Sequence, residues 1–214
     1  LVGRAARQRR AVDPTNTVTE SSDSDNSYPV SGTAGAMDVR SVSTLNVRLV
    51  PVLQSANGLQ GGVTVGNASQ YTADMLAMYP IAQVDADVRA AYTTAAPALQ
   101  SGDGNGAWGQ ILSEINALRT ADGSARFYYG VVKVSYPGGI AGLGYVPGRA
   151  AIGWDYLPSG ANVLAHEVGH NLGRFHAPGC DAGSPDASYP KLTGRIEGYG
   201  YKLATNTLKD TATN

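Results

Sequence analysis

Every histidine of this chain lies within residues 166–176, as His166, His170 and His176, and Glu167 stands beside the first. On a helix turning about 100° per residue, positions four apart differ by about 40°. His166 and His170 therefore project from one face and can hold one metal ion. Glu167, one residue along, falls near a metal-bound water without itself being a ligand. A continued helix would carry His176 about 240° round from His170, away from the metal, so a sharp turn is required between them. Gly173 stands in that interval, and glycine takes left-handed backbone angles without a Cβ penalty, so the helix can end there and His176 can swing back. Three neutral imidazoles leave the fourth position of a tetrahedral zinc open, the pattern of a catalytic site. The chemistry implied is metal-assisted hydrolysis of a peptide bond. Zinc acidifies its water, Glu167 takes the proton, the hydroxide attacks a polarised carbonyl, and Glu167 passes the proton to the leaving amine.

Residues 166 to 176, His-Glu-Val-Gly-His-Asn-Leu-Gly-Arg-Phe-His, fill every fixed position of the pattern H-E-x-x-H-x-x-G-x-x-H. In this the chain resembles the metzincin zinc endopeptidases. The resemblance implies that His166, His170 and His176 are the zinc ligands, that Glu167 is the base, and that Gly173 makes the turn to the third ligand. It also implies a twisted five-stranded sheet with one antiparallel edge strand above the cleft. Ala141-Gly142-Leu143-Gly144-Tyr145 looks like that edge, which in the family pairs with extended substrate by β-addition. Gly153-Trp154-Asp155 and Arg174-Phe175-His176-Ala177-Pro178 look most like secreted bacterial metzincins, so an extracellular location is implied. The looser likeness runs from about residue 42 to the C-terminus. Metzincins also carry a methionine-containing turn beyond the third histidine, whereas the methionines here are Met37, Met75 and Met78. Either that floor is replaced or the turn lies beyond Asn214. The loop-rich stretch from Cys180 to Asn214 favours the second, and would leave the partner of Cys180 beyond Asn214 as well.

The expected function is a zinc-dependent endopeptidase acting on extended protein or peptide substrates. The alternative is a catalytically inactive or truncated metzincin-like module that binds protein or glycoprotein partners, and a zinc hydrolase of non-peptide amides would keep the same residues. Cys180, four residues past His176, reads more simply as a surface cysteine than as a fourth ligand or a nucleophile. Asp181 and Asp186 are weak candidates for a structural calcium beside the simpler reading of a solvated turn around Gly183 and Pro185. Asp23, Asp25 and Ser27 begin like a calcium loop, but the pattern then fails at Tyr28.

These residues need a scaffold. The chain has 214 residues, 43% hydrophobic, enough for one sizeable domain with its own core. A formal net charge of -1 provides no field to recruit nucleic acid. No run approaches the roughly 18 apolar residues of a membrane span, and a monomer is expected. Residues 1–38, polar and rich in breakers, read as a linker or N-terminal arm with no signal-peptide pattern. Residues 39–214 read as the protease domain, with an upper subdomain of about 39–176 and a truncated lower one of about 177–214.

Within that domain Leu45, Val47 and Leu49 alternate as in a half-buried strand, and a glycine-rich loop is expected over 54–66. Tyr71, Met75, Met78 and Tyr79 recur at helical spacing up to Pro80, a core-packing stripe. Trp108, Ile111, Leu112, Ile115 and Leu118 mark an amphipathic helix. Residues 127–134 (FYYGVVKV) read as a buried strand, followed by short extended segments near 142–146 and 150–154. The active-site helix is expected over about 160–173. The fold class is therefore α/β (α+β), a mixed sheet packed on helices.

Overall fold

A computed structural model describes residues 41–179, 183–202 and 205–211, and before residue 41 four short strands with a few single positions. The chain divides into two units, Leu1–Ser43 and Thr44–Asn214. In the first, β1 (Ala6–Gln8) pairs antiparallel with β4 (Gly35–Met37), and β2 (Arg10–Ala11) with β3 (Ser27–Tyr28). The stretch read as an arm thus contains paired strands, and Asp23 and Asp25 lie outside the described residues.

The second unit is a mixed α/β fold. Its sheet runs in the order β6 (Gln83–Val88), β5 (Thr44–Gln54), β8 (Phe127–Val132), β10 (Ala150–Trp154), β9 (Gly142–Gly144). The first four are parallel and β9 is antiparallel to β10. A short strand, β7 (Tyr92–Thr94), extends the pairing at the far end of β5. Parallel strands require long crossovers, and the helices that make them cover both faces. Consequently β8, in the middle, is buried along almost its whole length.

Alternation along the strands sends successive side chains to opposite faces. Tyr128, Val132 and Ile152 meet Trp108, Ile111 and Ile115 of α3 (Ala107–Ala121) on one face. Tyr129, Val131 and Ala151 meet Leu164 and Val168 of α4 (Ser159–Asn171), together with Tyr71 and Met75, on the other. Each fully buried aromatic or aliphatic side chain there contributes about 1.5–3 kcal/mol.

Two expectations need correction. The single helix expected up to Pro80 is two one-turn helices, α1 (Ala68–Tyr71) and α2 (Met75–Met78), separated by a turn. Tyr71 and Met75 are buried, whereas Met78 is half exposed, so the apolar stripe does not continue. Strand β6 was not anticipated at all. Its alternate residues are Asp85 and Asp87, and Asp87 sits opposite Arg48, which grips both its oxygens at 2.7 Å. No helix among the described residues is long and apolar enough to cross a membrane.

Candidate metal centre

Helix α4 is fixed on the sheet by Ala161, Leu164, Ala165 and Val168. That anchoring decides where His166, Glu167 and His170 point. The helix ends as the glycine predicts: Gly173 has φ +83°, its N–H donates to the His170 carbonyl at 2.8 Å, and the Arg174 N–H reaches back to Gly169 at 3.0 Å. This pair of bonds is the Schellman arrangement, which closes off a helix through a left-handed residue. The reversed chain then brings His176 back beside the other two rings.

The three Nε2 atoms lie 3.1, 3.1 and 3.2 Å apart. His170 Nδ1 stands 2.6 Å from the Arg174 carbonyl oxygen and His176 Nδ1 stands 2.8 Å from that of Gly183. A carbonyl only accepts, so in the neutral rings both Nδ1 atoms carry the hydrogen and both Nε2 atoms present lone pairs. Lone pairs facing each other at that separation repel, and a cation between them relieves the repulsion. A tetrahedral ion with metal–nitrogen bonds of about 2.0–2.1 Å sets its nitrogens about 3.3–3.4 Å apart, close to the spacing found. The donor set fits a metal ion, and the carbonyls serve the ligands as orienting partners. Partial desolvation, with smaller effects from the neighbouring rings, lowers the pKa of the otherwise exposed His166, which favours the neutral, ligating form.

Glu167 is 7% exposed. Burial pushes its carboxyl up to about 8, and the charge of a bound ion would oppose that shift. What makes room for it is a shelf without side chains. Gly142 pairs with Gly153 across β9 and β10, and Gly144 pairs with Ala151, so all three glycines face α4. A Cβ at Gly142 would stand 2.7 Å from both Cγ and Oε1 of Glu167, and one at Gly144 would stand 2.8 Å from its carbonyl oxygen. A Cβ at Gly153 would overlap the Tyr129 hydroxyl, which crosses beneath β10 at that point. That hydroxyl is fully buried with no hydrogen-bond partner among the described residues.

A cleft of about 480 Å³ opens over the site, lined by Gly142–Gly144 and Val146 on one side and by Phe175, His176 and Gly183 on the other. Strand β9 ends the sheet, and its outer edge pairs with no other strand among the described residues. Asn171, at the end of α4, donates to the carbonyls of Tyr145 and Ala150 at 3.0 and 2.8 Å and so ties the β9–β10 turn to the metal helix.

All four residues singled out for the site come together, and the three histidines are the group among the described residues that could hold a metal ion. Cys180 and Asp181 lie outside the described residues. Asp186 instead closes its own turn, accepting from the Ser188 N–H and hydroxyl at 2.8 and 2.6 Å. Sequence reasoning missed Tyr129, Asn171 and Tyr79, whose hydroxyl donates to the Ala165 carbonyl. The Gly-x-Gly of a short strand was the one available signal that a bulky neighbour had to be admitted. No protein-family model matches the chain, and no curated protein matches it.

Proposed function

We propose that the chain is a secreted zinc-dependent endopeptidase of the metzincin kind. The observation that carries this reading is the convergence of three imidazole nitrogens, two of them presenting lone pairs because backbone carbonyls orient their rings, beside one desolvated carboxyl group. The fixed-pattern resemblance and a sheet with an antiparallel edge strand support it. His166, His170 and His176 would hold the ion, and three imidazoles with an open position suit zinc. Zinc held there supplies Lewis acidity, polarising a carbonyl and lowering the pKa of water.

The remaining work falls to the chain. Glu167 takes a proton from the attacking water at its carboxylate and passes it to the leaving amine nitrogen. Its shelf of glycines holds the carboxylate in one place and excludes water from its flank. The free edge of β9 offers backbone N–H and C=O groups to an extended polypeptide, while Val146 and Phe175 give apolar contacts in the cleft.

The test is metal content and cleavage of a denatured protein such as casein by the chain and by Glu167→Ala. One zinc per chain in both, with cleavage falling about a hundredfold or more in the variant, is the expected result. Cleavage that survives the substitution, or zinc bound without any cleavage by the parent chain, would overturn the reading.

A further inference from the structure

Behind the wall of the cleft lies a second recess, of about 420 Å³, lined by Asn116, Arg119, Tyr145, Pro147, Gly148 and Arg149. It contains two guanidinium groups. Arg119 Nη1 donates to the Ser124 carbonyl at 3.0 Å and Arg149 Nη1 donates to the next carbonyl, Ala125, at 2.5 Å. Consecutive carbonyls of one turn therefore hold the two side chains side by side. Arg149 is further fixed over the Phe127 ring, 5.2 Å from its centroid.

Neither arginine forms an ion pair among the described residues. The carboxylates nearest them in sequence bond other groups, Glu114 and Asp155 each through one oxygen, their second oxygens being buried without a hydrogen-bond partner among the described residues. Asp122 accepts from Arg89 and Tyr128, Glu114 from Gln110, and Asp155 from Gly62 and Lys133. The Nε of Arg119 is buried without a hydrogen-bond partner among the described residues. Two like charges held at one recess, with donors to spare and no ion-pair partner among the described residues, suit an anion. The guanidinium fork matches a carboxylate in particular.

The location narrows the source of that anion. Gly144 and Val146 line the metal cleft, while Tyr145, Pro147 and Gly148 line the recess, so one turn of chain forms the wall of both. That turn is pinned by Asn171, whose side chain holds the Tyr145 carbonyl and whose own carbonyl accepts from Gly148 at 3.1 Å. It follows directly on β9, so a polypeptide paired with that strand would reach it at one end.

We propose that this recess is a specificity subsite for the carboxylate of an Asp or Glu side chain of the substrate, reaching over the 145–148 turn from the cleft. The assignment of the carboxylate to a substrate rests on the endopeptidase reading. The experiment uses the zinc-loaded chain and fluorogenic peptides in which one residue, moved through the positions flanking the scissile bond, is Glu or its neutral isostere Gln. At one position Glu should raise kcat/KM about tenfold or more over Gln. That ratio should fall towards one in Arg119→Gln and in Arg149→Gln, to an intermediate value in Arg149→Lys, and should shrink with added salt. Melting curves identify any variant that has lost its fold.

Equal cleavage of the Glu and Gln peptides at every position, or a preference that persists in folded Arg119→Gln and Arg149→Gln, would overturn the subsite while leaving the protease standing. If no peptide is cleaved, the endopeptidase reading fails, and binding of the same peptides to Glu167→Gln by fluorescence anisotropy decides the recess separately. Tighter binding of Glu peptides that needs both arginines supports it. Indifference to the acid refutes it.

Discussion

Glu167 shows how burial alone sets a stability profile. In the metal-free chain its folded carboxyl is pushed up to about 8, whereas the unfolded chain releases the same proton near 4.5. The folded state is therefore favoured fully below the lower value, and that advantage drains away as the pH rises through the upper one. Glu167→Gln, which has nothing to release, lacks this slope. In chelator, the unfolding free energy of the parent chain from urea titration should drop relative to the variant between about pH 4.5 and about pH 8, at up to about 1.4 kcal/mol per pH unit. A constant difference between the two would show that the carboxyl is not desolvated. Subtracting the variant matters because His166, with its lowered pKa, adds a slope of the opposite sign at lower pH.

At the scale of elements, the site depends on β9 being thin. Gly142→Ala places a methyl carbon 2.7 Å from Cγ and Oε1 of Glu167, so strand or carboxylate must shift, while the three ligand nitrogens are untouched. Zinc content should stay at the parental level and kcat should fall about tenfold or more, the range expected when a catalytic group is displaced by an ångström. Loss of zinc together with activity would mean instead that the strand braces the ligands.

Elements also show what was legible in the sequence and what was not. Helices α3 and α4 announce themselves because one face of each is apolar at 3.6-residue period. Strand β6 hides because its aspartates read as loop until Arg48 and Arg126 are seen neutralising them. The three histidines that could hold a metal ion were readable from residue type and spacing. Their orienting partners, the Arg174 and Gly183 carbonyls, were not, because a backbone oxygen leaves no mark in a sequence. Arg119 and Arg149 were equally silent, since residues 30 positions apart meet only through the turn after α3.

For the molecule as a whole, the sheet and its two hydrophobic clusters are complete without any contribution from the histidine rings. Metal should therefore stabilise the fold without being needed to form it. Chelation should lower the melting temperature, the stability lost being the linkage free energy of about 4 kcal/mol for a thousandfold excess over Kd, and leave the far-ultraviolet circular dichroism unchanged. Collapse of that spectrum on chelation would place the ion among the structural supports of the fold.

The parallel register of β5 with β8 has a consequence in time. It seats Arg48 beside Tyr128, 80 positions further along the chain, and such distant pairings form slowly because a long loop must close before any contact rewards it. The β8–β10 and β10–β9 pairings join residues only 22 and 7 to 11 positions apart, so the wall above Glu167 closes shorter loops and does not wait for that slow step. His166 and His170, one turn apart on α4, meet far sooner. The histidine helix and the wall of the groove are thus gathered from one neighbouring stretch of chain, while the strand that completes the sheet is recruited from far away and bears the largest loop-closure cost.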